Sequence, residues 1–65
     1  MKAVVYYKDD NTVRCTGEVL IFNATHNNII LQTKQGAYHT QAASCGVYFQ
    51  LVVGDTIVYD SRYPR

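Results

Sequence analysis

Thr16-Gly17-Glu18-Val19-Leu20-Ile21-Phe22-Asn23, followed after a short polar break by His26-Asn27-Asn28-Ile29-Ile30-Leu31, is the stretch that decides the fold of this 65-residue chain. β-Branched and apolar residues dominate both halves, in short runs bounded by Asn, which is the pattern of strands rather than helices. The break, residues 23–27, is rich in Asn and carries a His, residues that accept left-handed backbone geometry, so it reads as a turn. Gly17 stands in the middle of the first half. A strand position without a side chain either bends sharply or admits another backbone, and a bend there lets one long strand serve both halves of a small barrel. On that strand Val13, Cys15, Val19 and Ile21 are assigned to one face.

Outward from this core the same short runs recur, and no window holds a helical period over three turns. Residues 2–8 are the first strand, Asp9-Asp10-Asn11 a turn, and residues 12–22 the second strand. Residues 28–40 are the third strand, 41–46 a small-residue loop, 47–53 the fourth strand, Gly54-Asp55 a tight turn and 56–59 the fifth strand. Residues 60–65 form a polar tail whose Pro64 discourages further pairing. The expected fold class is therefore all-β, a five-stranded, strongly bent antiparallel sheet or SH3-like barrel, in a single domain over residues 1–65.

Size and charge narrow the function classes. A domain of 65 residues buries only about 60% of the surface its unfolded chain exposes, so oligomerisation is expected to supplement the core. A net charge of +1 is too small for a strong non-specific field toward nucleic acid, and any such binding must come from local pockets. The apolar run after Met1 is far shorter than a secretory signal core or a membrane span, so the expected location is cytoplasmic, with no membrane partner. Cys15 and Cys45 are then expected to be reduced, small and apolar in role.

The fourth strand is apolar on both faces, with Val47, Phe49, Leu51 and Val53 on one and Tyr48 and Val52 on the other. A barrel buries one of these. The second face and the unpaired edge of an open sheet are liabilities unless another subunit covers them.

The opening stretch resembles the first motif of the Sm-like family of RNA-binding rings, and Leu51-Val52-Val53-Gly54-Asp55-Thr56-Ile57-Val58-Tyr59 is similar to that family's second motif. The likeness spans residues 4–59. It implies a homo-oligomeric ring in which strand 47–53 of one copy pairs with strand 56–59 of the next, and single-stranded RNA as ligand, bound as a chaperone or a clamp binds it. It also implies a base pocket. Phe22 and Asn23 take the place of the family's aromatic-Asp pair; aligned without a gap Thr25 and Asn27 line the pocket, and with one extra turn residue His26 and Asn28 do, the alignment preferred here because it carries Ile29-Ile30-Leu31 onto the family's apolar strand. The RNA-binding set implied is Asn23, His26, Asn27, Asn28, Gly54 and Asp55. The sequence departs from the family in three ways: Val53 stands where an Arg commonly covers the base, Asn23 replaces an Asp, and no helix precedes the first strand.

The chemistry of that set suits a splayed base: an imidazole offers a stacking plane and an amide reads a base edge. The same residues, taken without the resemblance, make an ordinary polar turn. Arg14, Lys34 and His39 form a second candidate polar surface, and Arg62-Tyr63-Pro64-Arg65 mixes cations and rings as strand-tracking segments do. Cys15, His26, His39 and Cys45 match no short zinc spacing, no phosphate-cradling glycine loop is present, and nothing orients a Cys–His nucleophile, so no metal, cofactor or catalytic residue is expected. Two readings follow: a ring that binds single-stranded RNA, and a small-barrel protein-interaction module that has lost RNA binding along with the Arg and the Asp.

Overall fold

The computed structural model describes residues 1–41 and 46–63. Six strands are present: β1 (Lys2–Tyr7), β2 (Val13–Asn23), β3 (Asn28–Thr33), β4 (Gly36–Gln41), β5 (Val47–Val53) and β6 (Thr56–Asp60). They form one antiparallel sheet in the order β4-β3-β2-β1-β5-β6, with no helix among the described residues. A flat six-stranded sheet is a plate about 4.8 Å per strand in width and thin in the third direction. This one measures 23 × 22 × 22 Å, so it is rolled upon itself as a small β-barrel-like body.

Three bulges and one glycine produce the roll. Leu20 is inserted opposite the Leu31–Ile30 step, Arg14 opposite the Val5–Tyr6 step and Val58 opposite the Leu51–Val52 step. Each extra residue raises the local twist. At Gly17, a Cβ would fall on the carbonyl of Gln32, 2.7 Å from its carbon. Of the two roles expected for Gly17, it is the close approach of another backbone that the structure displays directly.

The bulges also correct the assigned face of β2. Inserting a residue flips the alternation, so Cys15 and Val19 pack against the core while Val13 and Ile21, beyond the bulges, face solvent and Phe22 turns inward in place of Ile21. The core itself is Ala3, Val5, Ile29, Leu31, Val47, Phe49 and Leu51. Phe22 meets Phe49 edge-on at 6.1 Å and Tyr59 at 4.7 Å, which closes the barrel's end with rings.

Residues 28–40 are two strands and not one. Lys34-Gln35 turns β3 back on β4, with Gly36 at φ 115° and the Thr33 hydroxyl donating to the Gly36 carbonyl at 2.7 Å. The turn Asp9-Asp10-Asn11 is as expected: Asn11 has φ 61°, and the Asp10 carboxylate accepts from the amide and hydroxyl of Thr12 at 3.0 and 2.8 Å. Those two bonds, the hydroxyl first, hold its pKa below the ordinary value.

β5 needs the largest correction. Its two sides are taken within the chain, by β1 and by β6, so residues 47–53 have no free edge to offer strand 56–59 of another copy; that pairing is made internally. Tyr48, assigned to the uncovered second face, is buried beneath Tyr6, which stacks on it at 4.9 Å, and its hydroxyl donates to Asn11 at 2.9 Å. The large apolar residues left uncovered on β5 and β6 are Val53, Ile57 and Val58, each 51–55% exposed; Val13, Leu20 and Ile21 on β2 are exposed to a similar degree. Cys15 is half-buried and unpaired, while Cys45 lies outside the described residues. No helix among the described residues is long and apolar enough to cross a membrane.

Candidate nucleic-acid interface

The turn between β2 and β3 is built by its own asparagines. Asn23 accepts a bond from the His26 amide at 3.1 Å, which closes the turn. Asn27 then takes a left-handed conformation, φ 53°, and its amide group is used at both ends: the Nδ2 donates to the Ser61 carbonyl at 2.8 Å and the Oδ1 accepts from the Tyr59 hydroxyl at 2.7 Å. Burial, with the neighbouring charge of Asp60 second, pushes the Tyr59 hydroxyl above its ordinary pKa, which keeps it a proton donor. Asn28 opens β3 between Asn23 and Gln41 and is half-buried. His26 points from this braced turn into solvent.

Four of the six expected RNA-binding residues, Asn23, His26, Asn27 and Asn28, therefore share one turn. Gly54 and Asp55 do not join them. The tight turn they form, with Gly54 at φ 61°, precedes the first residue of β6, whereas Asn27 is bonded to Tyr59 and Ser61 at that strand's far end. Gly54 instead borders a hollow of about 290 Å³ with Met1, Lys2, Glu18, Val52 and Val53. Asn27 has one hydrogen bond at each end of its carboxamide, which braces the turn that carries His26 and Asn28.

A second and larger concavity lies at the Gly17 approach. Lys2, Arg14 and Lys34 line a cleft of about 520 Å³ together with Cys15, Thr16, Gly17, Gln32 and Thr33. Arg14 sits 5.2 Å from the centre of the Tyr38 ring. Burial raises the Cys15 thiol pKa, against a smaller opposing effect of Arg14. His39, grouped with Arg14 and Lys34 in the sequence, is on β4 opposite Ile30 and does not line the cleft. The sequence reading missed Lys2, Gln32 and Gln35 as members of this surface; the interior Gly17 was the signal, because a missing side chain at a crossing of two strands leaves a concavity beside it.

The tail is structured through Ser61. Its hydroxyl accepts from the Phe49 amide at 2.9 Å, and its own amide donates to the Phe49 carbonyl at 2.9 Å. Arg62 then folds over Tyr48 at 4.0 Å and bonds both carboxylate oxygens of Asp60 at 3.1 and 2.8 Å. Pro64 and Arg65 lie outside the described residues. Among the described residues no three His, Cys, Asp or Glu side chains group as a metal site would require. Compared with protein-family models, with curated proteins and with solved structures, the chain matches none of them.

Proposed function

We propose that the chain is the subunit of a small homo-oligomeric ring that binds single-stranded RNA through the braced turn bearing His26 and Asn28. The observation that carries the assembly is β6. It stands at the end of the sheet with no strand on its outer edge among the described residues; the bulge at Val58 leaves Ile57 and Val58 half-exposed, and Val53 at the end of β5 is half-exposed too, on a 65-residue domain with little core to spare. The other open edge is β4. The two edges differ in sequence, so a contact of β6 with β4 of the next copy is head-to-tail, and such contacts close into rings when the rotation between copies permits. Each copy then contributes one exposed imidazole beside one half-buried amide, weak alone and strong when repeated.

The competing reading, a protein-interaction barrel, is favoured by Val53 in the place of a base-covering Arg and by the separation of Gly54-Asp55 from the His26 turn. Light scattering and fluorescence anisotropy with labelled oligo-U and oligo-A separate the two. The RNA ring predicts an oligomeric mass at micromolar concentration, RNA binding, and a folded monomer for Val58→Asp, since Val58 is exposed within one chain. A monomeric wild type overturns the ring, and an oligomer that binds neither oligonucleotide at low or physiological salt moves the assignment to protein interaction.

A further inference from the structure

The chain's charges are not spread evenly. It carries six Lys and Arg against five Asp and Glu, for a net +1. Three of those six cations, Lys2, Arg14 and Lys34, line the Gly17 cleft, where Glu18 is the one carboxylate, so the cleft side chains sum to +2 and all the others to −1. Glu18 is itself 3.6 Å from the Met1 amine. The cleft is also furnished with neutral hydrogen-bonding groups, Thr16, Gln32, Thr33 and Gln35, and it is open enough at about 520 Å³ to admit an extended polymer segment.

Two features of the backbone make this a formed surface. The Gln32–Thr33 backbone rides over Gly17 where any side chain would block it. The bulge at Arg14 re-aims that residue, and the Tyr38 ring beneath its guanidinium holds it at the cleft while leaving its N–H groups without a carboxylate partner among the described residues. A guanidinium and two ammonium groups that make no ion pair among the described residues, lining a polar groove in which Glu18, across the strand pair from Lys2, is the one carboxylate, are the chemistry that recognises phosphate.

We infer that the Gly17 cleft is a phosphate-backbone site, holding the phosphodiesters of a single-stranded RNA through Lys2, Arg14 and Lys34, apart from the His26 turn. The inference rests on the RNA reading above for the identity of the polymer. Backbone tracking complements the turn: the cleft supplies charge without sequence preference, and the turn supplies the base contact.

The test uses Cys45→Ser protein, so that Cys15 in the cleft lining is the single thiol. Oligo-U binding is titrated against salt for this protein, for Arg14→Gln/Lys34→Gln, for Lys8→Gln as an exposed cation outside the cleft, and for His26→Ala. Each phosphate contact on a single strand contributes about 0.7 to the slope of log K against log salt, so the double variant is expected to lower the slope by about 1.4. Lys8→Gln and His26→Ala are expected to leave the slope unchanged, His26→Ala lowering affinity alone. Oligo-U and inorganic polyphosphate are both expected to slow alkylation of Cys15, and to do so less in the double variant. RNA binding with an unaltered slope in the double variant and no protection of Cys15 overturns the cleft while sparing the RNA reading. Absence of RNA binding overturns the RNA reading; protection by polyphosphate in that case retains a phosphate site, and its absence overturns the cleft as well.

Discussion

Arg14 and Arg62 lie over tyrosine rings in the same way, 5.2 Å from Tyr38 and 4.0 Å from Tyr48, yet only one of them has its charge answered. Arg62 bonds both oxygens of Asp60, which is 15% exposed and further held by the amide of Gln50 at 2.9 Å. Arg14 has no ion pair among the described residues and borders a cleft with two other cations. The difference teaches that a cation–aromatic contact does not by itself say what an arginine is for. Where a carboxylate completes the contact, the guanidinium covers a buried ring and fastens the tail; where none does, its hydrogen-bonding capacity is left for a ligand.

The largest effect expected is in the lining of the cleft. Gly17→Ala drives a Cβ into the Gln32 backbone, and backbone on both sides leaves little room to yield, so a loss of more than about 4 kcal/mol in urea unfolding is expected. A variant as stable as the wild type breaks the picture of a cleft shaped by that crossing. On the braced side, Asn27→Ala removes two hydrogen bonds and leaves an alanine in left-handed geometry, together about 3 kcal/mol. An unchanged urea midpoint would show that the turn stands without its ties to Tyr59 and Ser61.

pH sharpens the comparison next. The side-chain bonds from Arg62, aided by Gln50 and opposed by burial, hold the Asp60 carboxyl at about 2. A folded value below the unfolded one, near 3.9, means that the carboxylate adds stability above about pH 4 and loses it as pH falls toward 2. Wild type should weaken across that window and Asp60→Asn, weaker at neutral pH, should weaken less steeply; parallel pH profiles would dissolve the brace. The smallest effect belongs to Arg14→Gln, whose exposed side chain has no carboxylate to abandon, with a stability change within about 0.5 kcal/mol. A larger loss in urea would make Arg14 a structural residue like Arg62.

Which parts of the molecule were readable from the chain follows the range of the interactions. The all-β class, Gly17, the Asp9-Asp10-Asn11 turn and the Gly54-Asp55 turn rest on local preferences, and these appear in the structure. The β3–β4 hairpin escaped because Lys34-Gln35 carries no turn preference; Gly36 directly after it was the available signal. The bulges at Leu20 and Val58 depend on what lies across the sheet, so the exposure of Ile21 and Val58 was not legible from alternation. Asn27 illustrates the limit for the candidate site. Its partners are 32 and 34 residues away, and only the rolled sheet reveals that it is occupied and that His26 is free.

The uneven division of charge has a consequence outside binding energies. A body about 22 Å across whose cleft side chains sum to +2, in a chain of net +1, has positive charge gathered on one flank. Such a particle turns before it touches: near a polyanion it rotates its cleft forward, and near a polycation it presents its back. In a crowded solution it meets the two kinds of surface with different sides, and in weak salt, where the Debye length exceeds its own diameter, neighbouring copies feel one another's orientation as well as their distance.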